Sequence, residues 1–336
     1  MDIVAVDEAK RGKRIKRKDY IENALITALP VLGFFIFGAF PMVMSLIMSF
    51  FDMKDPEFVN ATFVGINNFK DMLTFDIHGG DFLLTFLTVG MYTINVFVGL
   101  VIAVYIAYQL NKIHVMSHLL RTIFFVPAVC SVSVVTIVFK MFLGEYSGVF
   151  NQVLRTFGFE SVQWLTGSPI LFNVSMITVA VWSGIGYAVV LLQAAFASVD
   201  KSYAEAASID GATAGQIFRK ITFHAITPTL GYLLTMRLIG SLQQMGNYYQ
   251  FGHGILNTQQ WSDTDFYQSV YPEDATSSLY IWETPVVYLY EMAFGTRRWT
   301  YGYGIASAAA WILALVIFIV TRINFKLQEK WVSYDF

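Results

Sequence analysis

Residues 202–221 read SYAEAASIDGATAGQIFRKI, a polar and charged stretch that stands between two long apolar segments of the chain. Two residue pairs in it have the spacing of a capping box and predict two helix starts: Ser202 with Glu205, and Thr213 with Gln216. Gly211 lies between these pairs and can take the left-handed backbone conformation that ends a helix. The stretch is therefore predicted to form two short helices joined by a tight turn.

Six apolar segments surround this stretch, and each is long enough to cross a bilayer, which takes about 20 residues. They are residues 24–51, 82–110, 122–143, 171–198, 227–250 and 304–324. The chain of 336 residues is 56% hydrophobic and 14% charged, whereas soluble domains carry about 25% charged residues. The mean hydropathy of +0.54 agrees with this. The composition therefore indicates an all-α membrane protein with six transmembrane helices.

The basic residues indicate which side of the membrane each connecting segment faces. Of the 22 Lys and Arg residues, seven lie within residues 1–20. The segments after spans two, four and six carry further basic residues, and with six crossings all of these positions fall on one side. The positive-inside rule identifies that side as the cytoplasm, so both termini are predicted to be cytoplasmic.

This topology divides the chain into a basic N-terminus (1–23), a six-helix membrane domain (24–330) and a short cytoplasmic tail (331–336). Within the domain, residues 199–226 form a cytoplasmic loop and residues 251–303 form a long extracytoplasmic loop. The long loop is rich in Trp and Tyr. Such a surface fits either contact with lipid headgroups or contact with a protein partner, and the sequence leaves both interpretations open.

The cytoplasmic loop resembles the EAA loop of permease subunits in ATP-binding-cassette (ABC) importers. The family pattern is Glu-Ala-Ala, then a glycine after three residues, then Ile-x-Leu-Pro after nine more. The matching positions here are Glu205, Ala206, Ala207, Gly211 and Ile221. Phe223 and His224 stand where the family has Leu and Pro, and Pro228 follows four residues later.

Further matches extend over most of the chain and resemble the sugar-permease branch, of the maltose-transporter type. They include FVGINNF at 63–69, RTIFFVP at 121–127 and GYGIASA at 302–308, whereas the family's Gly-Gly-Pro turn after span five is absent. The resemblance implies the six-helix type I ABC importer permease fold. It also implies that the loop docks in a cleft of an ATPase subunit, where Glu205 would pair with a basic residue.

The same resemblance implies the partners of a transport subunit in the bacterial cytoplasmic (inner) membrane. These are a second permease subunit, two copies of an ABC ATPase, and an extracytoplasmic solute-binding protein that delivers a saccharide. The chain has no GxxxxGK[ST] phosphate loop, so we expect ATP and Mg to be bound by the ATPase subunits. The chain itself is expected to be no enzyme and to hold no cofactor.

Arg237 lies near the middle of the fifth predicted span, where a guanidinium costs at least about 2.5–3.5 kcal/mol. No acid in the predicted spans can neutralise it. Polar side chains on the same helical face or beside it are Ser241, Gln243, Gln244, Asn247 and Tyr248. Arg237 either binds backbone carbonyls or an acid of the second permease as a structural contact, or it meets an anionic group of the substrate, such as a uronate, in a path that this stripe lines.

Span four offers a second set of candidates, Trp182, Gly184 and Tyr187. The resemblance implies sugar contact, since these residues align with sugar-binding positions of the maltose-transporter-type subunit, and aromatic rings stack well on sugars. The other interpretation is helix packing, with Gly184 and Gly186 allowing close approach of neighbouring helices. Both interpretations remain open.

Other classes of function find less support in the sequence. His114 and His118 have metal-ligand spacing but lack a third ligand, so no metal site is predicted. A secondary carrier predicts intramembrane carboxylates or repeated broken helices, and a membrane enzyme predicts clustered His, Asp or Glu near one membrane face. The identity of the saccharide stays open, because importers of polyols or glycerophosphate derivatives look much alike.

Overall fold

The computed structural model describes residues 17–58, 60–74, 79–113, 117–256, 283–295 and 302–333. The first half of these residues forms α1 (Arg17–Phe34), α2 (Phe40–Met48), α3 (Asn67–Leu73), α4 (Gly79–Tyr92), α5 (Ile94–Lys112), α6 (Ser117–Val129), α7 (Val132–Leu143) and α8 (Val149–Thr156). The second half forms α9 (Pro169–Ser198), α10 (Lys201–Ile209), α11 (Ala214–Ile217), α12 (Phe223–Leu242), α13 (Gly246–Leu256), α14 (Pro285–Ala293) and α15 (Gly302–Gln328). Two π-helical turns, Phe35–Ala39 and Phe218–Thr222, join α1 to α2 and α11 to α12. Strands β1 (Phe51–Asp52) and β2 (Thr62–Phe63) pair antiparallel.

Four helical segments of the described chain are long and apolar enough to cross a membrane by themselves. They are Asn23–Met48, Phe82–Lys112, Ile170–Ser198 and Gly302–Gln328. They confirm the predicted spans one, two, four and six, with ends that differ from the predicted ends by a few residues.

The predicted span three is not a straight helix. Leu119–Val129 and Val132–Leu143 meet at an angle of 98°. The bend has local causes: Pro127 lies in the last turn of α6, and Ser131 is extended with its hydroxyl accepting from the N–H of Val134 at 3.4 Å, which caps α7. The prediction of one continuous helix over 122–143 was therefore wrong, because proline and the cap interrupt it.

The predicted span five is broken near its outer end. Its helix α12 ends at Leu242, and α13 begins at Gly246, so the helix predicted over 227–250 is wrong in its last third. The break leaves the carbonyl of Gln244 outside the backbone hydrogen bonds of both helices. This carbonyl accepts a hydrogen bond from the hydroxyl of Thr284 instead. At the inner end α12 continues through a π-turn into α11, although His224 replaces the proline of the family pattern.

Helices α5, α9 and α12 pack together around one apolar cluster. It includes the small residues Ala103 and Ala107 of α5 and Ala188 of α9, all fully buried. A Cβ added to Gly186 would overlap the carbonyl oxygen of Phe124, so this glycine allows α6 to approach α9. The packing interpretation of Gly186 is thus confirmed.

Two further clusters join other helices of the described chain. One joins α7, α9 and α13 around Phe172, Met176 and Phe251. The other joins α3, α4, α14 and α15 around Met72, Phe82 and Tyr288. Asn68, in the matched FVGINNF stretch, donates to the carbonyls of Ser49 at 3.0 Å and Phe51 at 2.9 Å and so ties the outer end of span one to α3.

Span one is apolar on all sides. In its most apolar stretch of 18 residues, no residue is buried against the rest of the described chain. Only its outer half is attached: α2 packs on α15, and the indole of Trp311 donates to the hydroxyl of Ser45 at 3.2 Å. An uncovered apolar helix of this kind needs lipid or another subunit around it.

Candidate functional site

Residues 201–222, which we call the coupling projection, comprise α10, the turn after it, α11 and the second π-turn. The cap of α10 differs from the prediction, because the helix begins at Lys201 and the carboxylate of Asp200 accepts from the N–H of Ser202 at 2.9 Å. This hydrogen bond holds the pKa of Asp200 below its usual value. The predicted capping box of Ser202 with Glu205 was therefore wrong, since Asp is an equally good cap and stands two residues earlier.

The turn between the two short helices follows the prediction. Gly211 has φ +83°, a conformation that favours glycine. Its N–H bonds the carbonyl of Ser208 at 3.1 Å, and the N–H of Ala212 bonds that of Ala207 at 2.9 Å, which together make a Schellman motif. Thr213 and Gln216 form the predicted capping box, with both reciprocal hydrogen bonds present. The turn is therefore held by backbone and side-chain bonds at both sides.

The tip of the projection presents the matched motif to its surroundings. Glu205 and Ala206 are exposed and Ala207 is half-buried. Within the described part of the chain, no side chain pairs with the Glu205 carboxylate. Ile209 is 87% exposed, an apolar side chain that the sequence reading missed although it stands alone in a polar stretch. Glu205 and Ile209 thus both stand uncovered on one short helix.

The base of the projection is fixed to the membrane bundle. Ile221 is half-buried in the π-turn. In the same turn, the ring of Phe218 lies 4.4 Å from that of Tyr108 on α5, and the ammonium of Lys112 lies 4.0 Å from the Tyr108 ring. The projection is thus joined to α5 by side-chain contact and to α12 by a continuous helix.

A polar cavity of about 400 Å³ lies at the break between α12 and α13. Its lining comes from α4, α5, α7, α9, α12 and the start of α13: Tyr92, Asn95, Val132, Ala180, Ser183, Gly184, Arg237, Gly240, Ser241, Gln244, Gly246 and Asn247. The break matters for this cavity because Gln244, Gly246 and Asn247 line it from the break and the start of α13, whereas Gln243 is exposed. Of the residues predicted for a substrate path, Gly184, Arg237, Ser241, Gln244 and Asn247 are brought together here.

Arg237 reaches from α12 to α9 and lies between two glycines. Its Nη2 donates to the carbonyl oxygen of Gly184. A Cβ on Gly99 would lie 2.7 Å from Nη1, and one on Gly184 would lie 3.0 Å from Nη2, so the missing side chains make room for the guanidinium. No described carboxylate lies within ion-pair distance of it. The bond to a backbone carbonyl is the first of the two predicted roles, and it leaves other N–H donors of the guanidinium on the cavity wall.

The remaining polar groups of the cavity come partly from residues that the sequence reading missed. The hydroxyl of Ser241 lies 3.1 Å from that of Thr93, at the junction of α4 and α5. Tyr92 and Asn95 flank this junction. Polar side chains within an otherwise apolar span were the signal that could have found them.

Four predicted path residues do not line this cavity. Tyr248 is 2% exposed in the core beside Tyr92 and Phe172, and its hydroxyl donates to Asn173 at 2.6 Å. Gln243 is exposed at the end of α12. On α9, Trp182 is 41% exposed with its ring 5.3 Å from that of Phe139, and Tyr187 is 49% exposed.

Trp182 and Tyr187 are both partly exposed on α9. The side chain of Tyr187 lies beside that of Tyr232 on α12. Tyr187 also lies one turn beyond the cavity residue Ser183 on α9, so the two tyrosines extend the cavity wall along α9 and α12. In the single chain this surface is open.

Two predictions fall partly or wholly outside the described residues. The side chains of His114 and His118 are not described, and among the described residues no group of three or more His, Cys, Asp or Glu can hold a metal ion. Most of the long loop 251–303 also lies outside them, and the aromatic residues of it that the structure describes are Phe251, Tyr288, Tyr290, Phe294 and Tyr303.

Comparison with known proteins was made by family and by structure. Residues 81–334 match the family model described as "Binding-protein-dependent transport system inner membrane component". The chain is 28% identical over 332 residues to the probable ABC transporter permease protein YesP of Bacillus subtilis (strain 168), covering 98% of this chain and 97% of that one. It is 26% identical over 305 residues to the arabinooligosaccharides transport system permease protein AraP of the same organism, covering 90% and 87%.

The fold has also been seen in solved structures. A chain of a bacterial ABC transporter involved in the import of the acidic polysaccharide alginate superposes with a TM-score of 0.70 at 22% identity, covering 94% of this chain and 99% of that one. A second structure, of a bacterial alginate ABC transporter in complex with alginate pentasaccharide-bound periplasmic protein, gives 0.69 at 23% identity, covering 93% and 96%. With the family match over most of its length and this shared architecture, the chain belongs to the binding-protein-dependent transport system inner membrane components and has the type I fold of ABC importer permeases.

Proposed function

We propose that this chain is one of two permease subunits of an ATP-driven importer that carries a saccharide into the bacterial cytoplasm. A solute-binding protein outside delivers the saccharide, and two ABC ATPases dock on the cytoplasmic side, one of them on the coupling projection. The main support for this proposal is the coupling projection, a well-capped pair of helices with Glu205 and Ile209 uncovered at its tip. Both termini and the projection are cytoplasmic in this arrangement, in line with the basic residues that flank spans two, four and six.

The helix that leaves the projection supports a mechanical route to the cavity. From Ala214 to Leu242 the chain is helical without interruption, through the π-turn and past Arg237. A segment of this kind moves as a rigid body, so closure of the ATPases on the projection would shift α12 and the cavity wall together. ATP and the loaded binding protein would both favour the outward-open state, and hydrolysis would return the bundle to the inward-open state.

An acidic oligosaccharide is the substrate class that the cavity fits best. Its wall carries a guanidinium, an amide from Gln244 and another from Asn247, and the ring of Tyr187 lies one helical turn from the cavity residue Ser183. Amides and aromatic rings suit a sugar, and the guanidinium suits a carboxylate such as that of a uronate. The transporter that imports the acidic polysaccharide alginate supports the acidic class, and the relative described as an arabinooligosaccharides permease supports an oligosaccharide.

Two other substrates remain as alternatives, and each has a distinguishing outcome. A glycerophosphate derivative would also pair with Arg237, and a polyol would not need it.

A secondary carrier would move its substrate without an ATPase. Purification of the tagged chain from its own host tests the last point: we expect ATPase subunits to co-purify and their ATP hydrolysis to be stimulated by the loaded binding protein, and absence of both would contradict the proposal.

The substrate class is tested by replacing Arg237 with methionine in the intact complex. Charge-assisted hydrogen bonds contribute about 1.5–3 kcal/mol, so we expect the KM for a uronate oligosaccharide to rise at least about tenfold while uptake of its neutral counterpart changes little. Arg322→Met removes an exposed charge on α15, away from the cavity, and serves as the control. Equal losses for the neutral and the acidic saccharide would make Arg237 a structural residue and remove the case for an acidic substrate.

A further inference from the structure

Lys140 is a second cation within the membrane-spanning part of the chain, and neither the motifs nor the comparisons assign it a role. It lies on α7, one turn before the helix ends at Leu143, and its side chain is half-buried. A lysine at this depth has lost part of its hydration, and such residues are found where they pair with a carbonyl, an acid or a substrate.

The contacts of Lys140 leave much of its ammonium free. Nζ donates to the backbone carbonyl of Gln250 on α13 at 3.0 Å. It lies 5.8 Å from the ring centroid of Phe251, in the buried cluster of α7, α9 and α13. No carboxylate of the described residues pairs with it. Since an ammonium group carries three N–H donors, two are not used by this bond.

The same two helices connect Lys140 with the polar cavity. The side-chain amide of Gln250 donates to the hydroxyl of Ser133 at 3.0 Å. Ser133 follows Val132 on α7, and Val132 lines the cavity together with Gly246 and Asn247 of α13. Lys140 comes eight residues after Val132 on α7, which corresponds to about 12 Å along the helix. Lys140 therefore stands outward of the cavity, on the junction of the two helices that form its outer wall.

We propose that Lys140 is a second anion-binding position, which receives a carboxylate of an acidic oligosaccharide before or while Arg237 binds another. The inference rests on the proposed function, because it needs a path that carries an acidic saccharide. Arg237 lies on the cavity wall, and Lys140 lies about 12 Å of helix rise beyond the cavity residue Val132 on α7. Two cations placed in this order suit a ligand whose negative charges repeat along a chain. A single small anion would gain from only one of them, so Lys140 should favour oligomers over monomers.

The alternative is that Lys140 only ties α13 to α7 and stabilises the C-terminal end of α7 by its charge. Two substitutions separate these roles. Lys140→Gln keeps a neutral N–H donor for the carbonyl of Gln250 and removes the charge, whereas Lys140→Arg keeps the charge. The melting temperature of each purified complex reports the structural role, and transport reports the binding role.

The experiment measures uptake of a uronate trisaccharide, a uronate monosaccharide and a neutral trisaccharide by the complete importer in proteoliposomes with its binding protein. We expect Lys140→Gln to raise the KM for the acidic trisaccharide about fivefold or more, with the neutral trisaccharide changed less than about twofold and Lys140→Arg near the wild type. The effect on the acidic monosaccharide should be smaller than that on the trisaccharide.

Each other result overturns the inference in a recognisable way. Equal losses for neutral and acidic trisaccharides, or no loss for either, would leave Lys140 a structural residue while the proposed function stands. If the wild-type importer moved no uronate at all, the acidic substrate class and the role of Lys140 would both fail, and the neutral uptake would still show whether the chain is a saccharide permease.

Discussion

Replacing Thr235 by valine removes one hydroxyl from the contact between α12 and α15 and leaves the shape of the side chain nearly unchanged. Thr235 is 3% exposed. Its hydroxyl donates to the carbonyl of Gly231 at 3.0 Å and accepts from the amides of Asn324 at 2.9 Å and Gln328 at 2.8 Å. The hydroxyl is thus the centre of a buried polar network that joins the last span to the helix carrying the coupling projection.

The expected loss of stability depends on which buried hydrogen-bond donors lose their partner when valine replaces Thr235. Asn324 loses the hydrogen bond of its amide, whereas Gln328 keeps a second bond to the Gly231 carbonyl at 3.1 Å. A buried donor without a partner costs about 1–3 kcal/mol, so one donor lost and one weakened should destabilise the chain by about 2–4 kcal/mol. Thr235→Ser keeps the hydroxyl and loses one methyl group, which should cost about 1 kcal/mol.

Thermal unfolding of the purified complex in detergent measures both variants. About 1 kcal/mol shifts the melting temperature by 2–4 °C in a domain of 150–250 residues and by less in a longer chain. We therefore expect the order wild type, serine variant, valine variant, with valine several degrees below serine. If serine were as destabilising as valine, methyl packing and not the hydroxyl would hold α15 to α12, and the reasoning would be refuted.

Two further predictions concern the coupling projection. Glu205→Lys should abolish ATP-driven uptake and weaken retention of the ATPase, and it should not lower the melting temperature, because Glu205 is exposed. Glu160→Lys makes the same charge change at another exposed site and serves as the control. Unchanged uptake and unchanged ATPase retention in the Glu205 variant would contradict the docking role. Gly211→Ala should destabilise the projection by about 1–2 kcal/mol, since Gly211 has φ +83°. Gly215→Ala should instead stabilise α11 slightly, because no atom lies within 4 Å of the added Cβ. Proteolysis of the projection measures both, and equal cleavage rates would contradict the turn argument.

Patterns within a few residues predicted the coupling projection well. The capping box of Thr213 with Gln216 and the left-handed turn at Gly211 both depend on neighbours in the chain, so the sequence contains them completely. The failed cap at Ser202 has an equally local reason: Asp200 competes for the same helix start. Choosing between two good caps needs the φ and ψ angles of the residue before the helix, which only the folded chain supplies.

The bend in span three and the break in span five were harder to predict. Apolar composition is the same for a straight helix and a bent one, and Pro127 alone does not set an angle. In span five the break at Gln243 leaves a carbonyl of Gln244 that Thr284 satisfies from 40 residues further along the chain. A break with such a distant partner is stable only in the assembled bundle.

Taken alone, the amino-acid sequence determined the membrane class, the positions of spans one, two, four and six and the turn of the coupling projection, because apolar length and capping act over short distances. Tertiary structure alone decided what Arg237 and Lys140 contact. Gly184 lies 53 residues from Arg237, and Gln250 lies 110 residues from Lys140. The packing of helices distant in sequence sets those contacts, and no local pattern records it.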